Sequence, residues 1–400
     1  MTVSSMHRQV FLLAAAQALF QTISVAVLTV GGLAGGQVSA RPEWATMPIA
    51  AVFLGTALMT FPASIWMARV GRRAGFVTGA LLGALGGVLA AAGLHAGSLV
   101  LLCAGTFLFG AHQAFAQFYR FAAGEVADDA FRPRAISLVM SGGIVAALAG
   151  PLLGRWGGPL LATPYAGSFV LLALVAATGA AVLMGLRMPP APVAAAGTTV
   201  PGRPWRAIVS QPAYLVALFG AATGFGVMIL AMTATPLAMV HHHHDLGDTA
   251  TVIQLHVLGM FVPSFFTGSL IARFGVLRIM FTGVLLLAAH VLTTLTGTGF
   301  NSFASALVLL GVGWNFLYIG GTTLLTTTYT SAEKGRAQAT NDMTVFAVGL
   351  ACSFSAAALL QRFGWAQLNL ILLPWLAIAA AALLWFGRTQ RRTARLATAG

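Results

Sequence analysis

MARVGRR (residues 67–73) closes one long apolar run, and IARFGVLR (271–278) closes another about 200 residues later. Two more pairs share that offset: RPRA (132–135) with KGRA (334–337), and GRWG (154–157) with QRFG (361–364). The chain therefore reads as two copies of one unit. What that unit is follows from the residues between the basic clusters.

Those residues are almost free of charge. Of 400 residues, 58% are hydrophobic and 7% charged, with a mean hydropathy of +0.88. A soluble domain carries about a quarter charged residues. Twelve apolar runs recur: Phe11–Leu33, Thr46–Ala68, Gly75–Leu94, Leu99–Tyr119, Ala135–Arg155, Ala166–Leu186, Tyr214–Met239, Val252–Ala272, Ile279–Leu295, Ser302–Leu325, Thr344–Leu360 and Leu368–Phe386. Each is near the ~20 residues that cross a hydrocarbon core as a helix. Strand-period alternation is absent, which excludes an outer-membrane barrel. The first run contains Gln17 and Gln21 and further spans follow it, so it reads as a span and not a cleaved leader.

The net charge of +13 suggests a nucleic-acid partner until the basic residues are placed. With the N-terminus inside, 17 lysines and arginines fall in cytoplasmic segments, and only Arg41, Arg155 and Arg362 fall outside. That is the positive-inside distribution of a multi-pass protein, and it requires the lipid bilayer alone as partner. Cys103 and Cys352 lie in different spans and are expected to be free thiols. MPPAPVAAAGTTVPGRPW (188–205) reads as a flexible cytoplasmic connection. The expected organisation is a six-helix half over 1–187, a linker over 188–211, a second six-helix half over 212–387 and a basic cytoplasmic tail over 388–400. Parallel repeats of six spans are the architecture of secondary transporters.

Twelve spans, a central cytoplasmic loop and the basic loop after span two resemble the major facilitator superfamily. Ala68 and Ala272 stand where that loop usually carries an acidic residue. GGIVAALAGPLLG (142–154) on span five is similar to a motif of the superfamily's antiporters, and its small residues also suit close helix packing. The resemblance implies an all-α membrane fold with both termini cytoplasmic, and a carrier with no catalytic residues, not an enzyme. No phosphate-binding GxxxxGK[ST] loop occurs.

Ionisable residues inside a bilayer are functional candidates by default. Here they are His112 and Arg120 on span four, His256 on span eight, His290 on span nine and Asp342 on span eleven. His256 and Met260 are spaced i, i+4, as are Met228 and Met232 on the preceding span. Counting ~1.5 Å per residue from the outer helix ends places these four as two rungs, one Met/His and one Met/Met. Pro236 and Pro263 free backbone carbonyls beside them. Thioethers and an imidazole are soft, neutral donors suited to Cu(I). The plainer readings are methionines filling apolar gaps and a hydrogen-bonded packing histidine. His241, His242, His243 and His244, followed by Asp245 and Asp248, form a candidate outer capture site. His112, Gln113, Gln117 and Arg120 form a polar stripe, with Arg120 expected at the inner gate or paired with Glu125. Asp342 is read as a proton-coupling candidate or a helix cap.

MxxxM on span seven followed by HxxxM on span eight resembles the CcoA-type copper importers of the superfamily. The resemblance implies that Met228, Met232, His256 and Met260 carry copper across a bacterial inner membrane for assembly of cbb3-type cytochrome oxidase. Copper is then the cargo, no cofactor is needed, and cytoplasmic or periplasmic copper chaperones are candidate partners. No cysteine lies in spans seven and eight, where such importers can carry them. The alternative is an organic cargo, since relatives of that group include proteins associated with riboflavin uptake. Trp314, Asn315 and Tyr318, with Gln113 and Gln117, are then the groups that stack on and hydrogen-bond a flavin-like ring. Drug efflux and a non-transporting copper sensor are the remaining readings.

Overall fold

The computed structural model describes residues 3–40, 44, 47–188, 202–244 and 246–399, and among them every regular element is a helix. The first six spans are α1 (Val3–Val38), α2 (Met47–Val70), α3 (Arg72–His95), α4 (Leu99–Ala116) running into α5 (Tyr119–Val126), α6 (Arg132–Ser141) running into α7 (Gly143–Gly157), and α8 (Ala166–Met184). A short α9 (Trp205–Val209) follows. The last six spans are α10 (Pro212–His241), α11 (Leu246–Phe261) with α12 (Ser264–Phe274), α13 (Val276–Thr294), α14 (Phe300–Leu325), α15 (Lys334–Leu370) and α16 (Leu372–Ala399). α15 spans two runs, because Gly364 at φ 73 and ψ 174 folds the chain back inside it. Among the described residues, eleven stretches are long and apolar enough to cross a membrane.

The order of spans follows the apolar runs; their lengths do not. Span one is helical from Val3 to Val38, and span eleven begins at Lys334, ten residues before its apolar run. Hydropathy marks where a helix is greasy, not where its backbone hydrogen bonds start. KGRAQATND holds no proline and only one glycine, so the helix continues through polar residues. Pro236 does not interrupt α10, whereas Pro263 separates α11 from α12.

The internal repeat is visible in the backbone. Gly71 enters α3 at φ 87 and ψ 161; Gly275 enters α13 at φ 88 and ψ 149. Only glycine settles in that region without strain. The matched basic loops therefore make the same turn.

The chain divides into two compact units. One comprises Met1–Asp129, Leu138–Thr199 and Gln338–Met343; the other comprises Ala130–Ser137, Val200–Ala337 and Thr344–Gly400. The first unit is centred on Ile23, Val27, Leu102, Phe109, Phe169 and Leu172, drawn from α1, α4 and α8. In the second, α14 is the central post, packed along α10, α11 and α13. Phe11, Val100, Leu174, Phe265 and Ile378 remain well exposed, as side chains facing lipid must.

Candidate transport site

His256 is wholly buried in the second unit. Its Nδ1 lies 2.9 Å from the carbonyl oxygen of Leu307 on α14. A carbonyl only accepts, so the proton sits on Nδ1 and the Nε2 lone pair faces outward from that bond. Nε2 is buried with no hydrogen-bond partner. Met228 and Met260 are buried and Met232 is half-buried. Gly224 on α10 packs at Leu317, while the backbone of His256, Gly259 and Met260 on α11 packs at Gly311. Yet α10 and α11 touch over only a small patch, and both lean on α14. The two methionine-bearing helices are thus held mainly through the post helix.

Asn315 does not wait for a cargo. Its Nδ2 donates to the Met260 carbonyl and to Ser264 Oγ, both at 2.6 Å, and its Oδ1 accepts from Thr267 Oγ1 at 2.7 Å. It braces the break at Pro263, where the missing N–H leaves α11 carbonyls short of donors. Trp314 and Tyr318, read as groups that stack on a flavin-like ring, stack on each other with centroids 4.9 Å apart and planes 17° apart. Phe261 meets Trp314 edge-on at 5.8 Å, and Phe225 continues the row beyond Tyr318 to Phe346. Phe225 and Phe346 are half-buried. Trp314 Nε1–H is a buried donor without an acceptor.

His290 on α13 is also wholly buried and has both ring nitrogens engaged, at 2.9 Å from the Ala306 carbonyl and 3.1 Å from Asn369 Oδ1.

In the first unit His112 is buried, edge-on to Phe20 at 5.4 Å, with Nδ1 unpaired. Gln113 is half-buried beside it and makes no side-chain hydrogen bond among the described residues. Arg120 pairs with Asp342 on the Gln338–Met343 segment that belongs to this unit, donates to Gln117 at 3.1 Å, and lies over the Phe121 ring. Asp342 is eight residues inside its helix, so it is no cap. Glu125 accepts from Arg72 at 2.7 Å, and Arg72 also donates to Gln338 at 2.5 Å. The basic loop is therefore tied down through Arg72, although Ala68 removes the loop's usual acid.

The four histidines do not converge. His241 and His242 meet edge-to-face at 5.3 Å, His243 takes φ 63, and His244 bonds the Thr298 carbonyl at 2.7 Å and Asp248 at 3.5 Å. Burial and the neighbouring histidines hold His242 below its ordinary value. Asp245 lies outside the described residues. Among the described residues no three His, Cys, Asp or Glu side chains gather as a metal site.

Sequence reasoning missed the cytoplasmic clasp. Glu333, buried before α15, accepts from Arg203 N, Nε and Nη2 at 2.7–2.9 Å and from Thr330 N at 2.9 Å. The Arg203 hydrogen bonds hold its carboxyl far below the usual range. The signal available was scarcity: in a chain with eight acidic residues, each one needs an accounted role.

Comparison with known proteins fits this frame. The Major Facilitator Superfamily model matches residues 10–263 and 217–400. The chain is 39% identical over 379 residues to the riboflavin transporter RfnT of Brucella anthropi, covering 94% of this chain and 95% of that protein. It is 31% identical to the uncharacterized MFS-type transporter YdeG of Bacillus subtilis, over 86% and 84% of the two chains. Among solved structures, the fucose:proton symporter FucP of E. coli overlays with a TM-score of 0.74 at 16% identity, over 94% and 98%. A bacterial homologue of the iron transporter ferroportin does so at 0.70 and 16%, over 95% and 99%.

Proposed function

The chain belongs to the major facilitator superfamily, and on that premise we propose that this multi-pass membrane transporter carries riboflavin or a closely similar flavin. The observation that carries the reading is the 39% identity to a riboflavin transporter along nearly the full length of both chains. It favours the organic cargo over copper. The chemistry agrees. An isoalloxazine ring is flat and aromatic, with carbonyl acceptors and one N–H donor on its pyrimidine edge; the ribityl chain adds hydroxyls. The second unit holds a row of aromatic rings, a buried acceptor without a donor in His256 Nε2, and a buried donor without an acceptor in Trp314 Nε1. Unmet polar groups in an apolar bundle cost about 1–3 kcal/mol each. A cargo that satisfies both recovers that cost.

One observation speaks for copper. An imidazole that donates Nδ1–H to a carbonyl and keeps Nε2 free is oriented as metal-bound histidines are. The partly separated α10 and α11 speak against a ladder built from both.

The test is uptake of labelled riboflavin by a riboflavin-requiring bacterial strain carrying this gene. Uptake above the empty-vector background, competed by unlabelled riboflavin, supports the reading. Trp314→Phe keeps the ring and loses the donor, and should raise KM by up to about tenfold, the worth of one hydrogen bond. No riboflavin uptake, together with copper accumulation that Met228→Leu and His256→Ala abolish, would return the assignment to copper.

A further inference from the structure

His290 is placed where a neutral imidazole cannot be satisfied. Nδ1 faces the carbonyl oxygen of Ala306, and Nε2 faces Oδ1 of Asn369. Both are acceptors. The amide of Asn369 is held in that sense because its Nδ2 donates to the Trp365 carbonyl at 2.8 Å. A neutral ring protonated on Nδ1 leaves the Nε2 lone pair against Oδ1. One protonated on Nε2 leaves the Nδ1 lone pair against Ala306. Turning the amide over serves Nε2 but sets Oδ1 against the Trp365 carbonyl. Only the imidazolium, with a proton on each nitrogen, makes all three hydrogen bonds.

We propose that His290 is a proton-binding site, held as the imidazolium between Ala306 and Asn369 in the outer part of the second unit. His290 lies four residues from the end of α13 and Ala306 six residues from the start of α14, roughly 6–9 Å inside the outer helix ends. Burial in an apolar bundle opposes a charge here; an oxygen acceptor facing each ring nitrogen opposes its loss. The titratable neighbour is His256 on α11, whose ring is bonded to the adjacent carbonyl of Leu307. On the helices packed against α13, the charged groups Arg273 of α12 and Arg388 and Arg392 of α16 lie at the inner ends, as does Arg278 of α13 itself; α15, which supplies Asn369, carries Arg362 seven residues before it, and α10 ends at His241. α14 carries none. Such a site takes its proton from the outer face, which suits a carrier whose cargo enters with protons.

The test does not depend on the cargo. Nitrogen NMR of histidine-labelled protein in lipid nanodiscs at pH 7.5, about one unit above the ordinary histidine value, distinguishes imidazolium from neutral rings. One imidazolium signal is expected that His290→Gln removes. Asn369→Leu deletes the acceptor and should convert the signal to neutral, whereas Asn369→Asp should preserve it; both variants retain His290. A neutral His290 in the unaltered protein overturns the proposal, and so does an imidazolium that survives Asn369→Leu. Riboflavin uptake lost with the signal intact would count against the cargo, not the proton site.

Discussion

Arg120 and Asp342 are 3% and 1% exposed, and each is the other's countercharge. Removing one partner strands a buried ion and costs about 3–5 kcal/mol, while replacing both with apolar residues is often neutral. Arg120→Leu should therefore lower the melting temperature in detergent sharply, and Arg120→Met with Asp342→Leu should restore most of it. Equal losses in the single and double variants would show that the pair is not coupled. The sequence flagged both residues as costly in a bilayer but paired neither with the other, because they are 222 positions apart and no local spacing joins them. His256 was legible as a buried polar residue at helical spacing from Met260. Its protonation was not, since the proton is fixed by a carbonyl 51 residues away. Asn315 was misjudged for the same reason: an amide on an apolar helix looks available until its neighbours are known.

At the scale of elements, the break between α11 and α12 shows how a helix tolerates proline in a membrane. Pro263 removes a donor, and a side chain from α14 restores one. Asn315→Leu has nearly the same volume but leaves the Met260 carbonyl, Ser264 Oγ and Thr267 Oγ1 with one partner fewer. At about 1–3 kcal/mol for a buried unsatisfied group, the variant should be visibly less stable, while Asn315→Asp should rescue little because it cannot donate. Thermal unfolding in lipid followed by size exclusion reads both. Helix order was legible because apolar runs of ~20 residues have one solution in lipid. Helix ends were not, and neither were partners: α10 and α11 are consecutive in the chain yet meet mainly through α14.

For the whole molecule, the repeat was visible in three short matches, and the similar glycine turns at Gly71 and Gly275 are the physical counterpart of the first. The connection between the halves held a surprise in its last residues. The connection reads as flexible over 188–205 within a linker ending at residue 211, but Arg203 is clasped by Glu333 and Gln211 Nε2 bonds the Thr328 carbonyl at 2.9 Å. Glu333→Gln should speed chymotrypsin cleavage after Trp205 in inside-out vesicles several-fold; an unchanged rate would mean the clasp does not restrain that segment. The carboxyl is depressed from its ordinary value, so the contribution of the clasp is fully present above about pH 4.3 and is lost only as pH falls below it. Protection in the unaltered protein should accordingly be constant from pH 6 to 8. Gly364 reverses the chain between the last two spans in a conformation closed to every other amino acid. Saturation mutagenesis should find it less permissive than its exposed position suggests, alanine included. Trp365 and Asn369 follow directly, so damage at this outer hinge would be read first as a change in the acidity of a ring on a different helix.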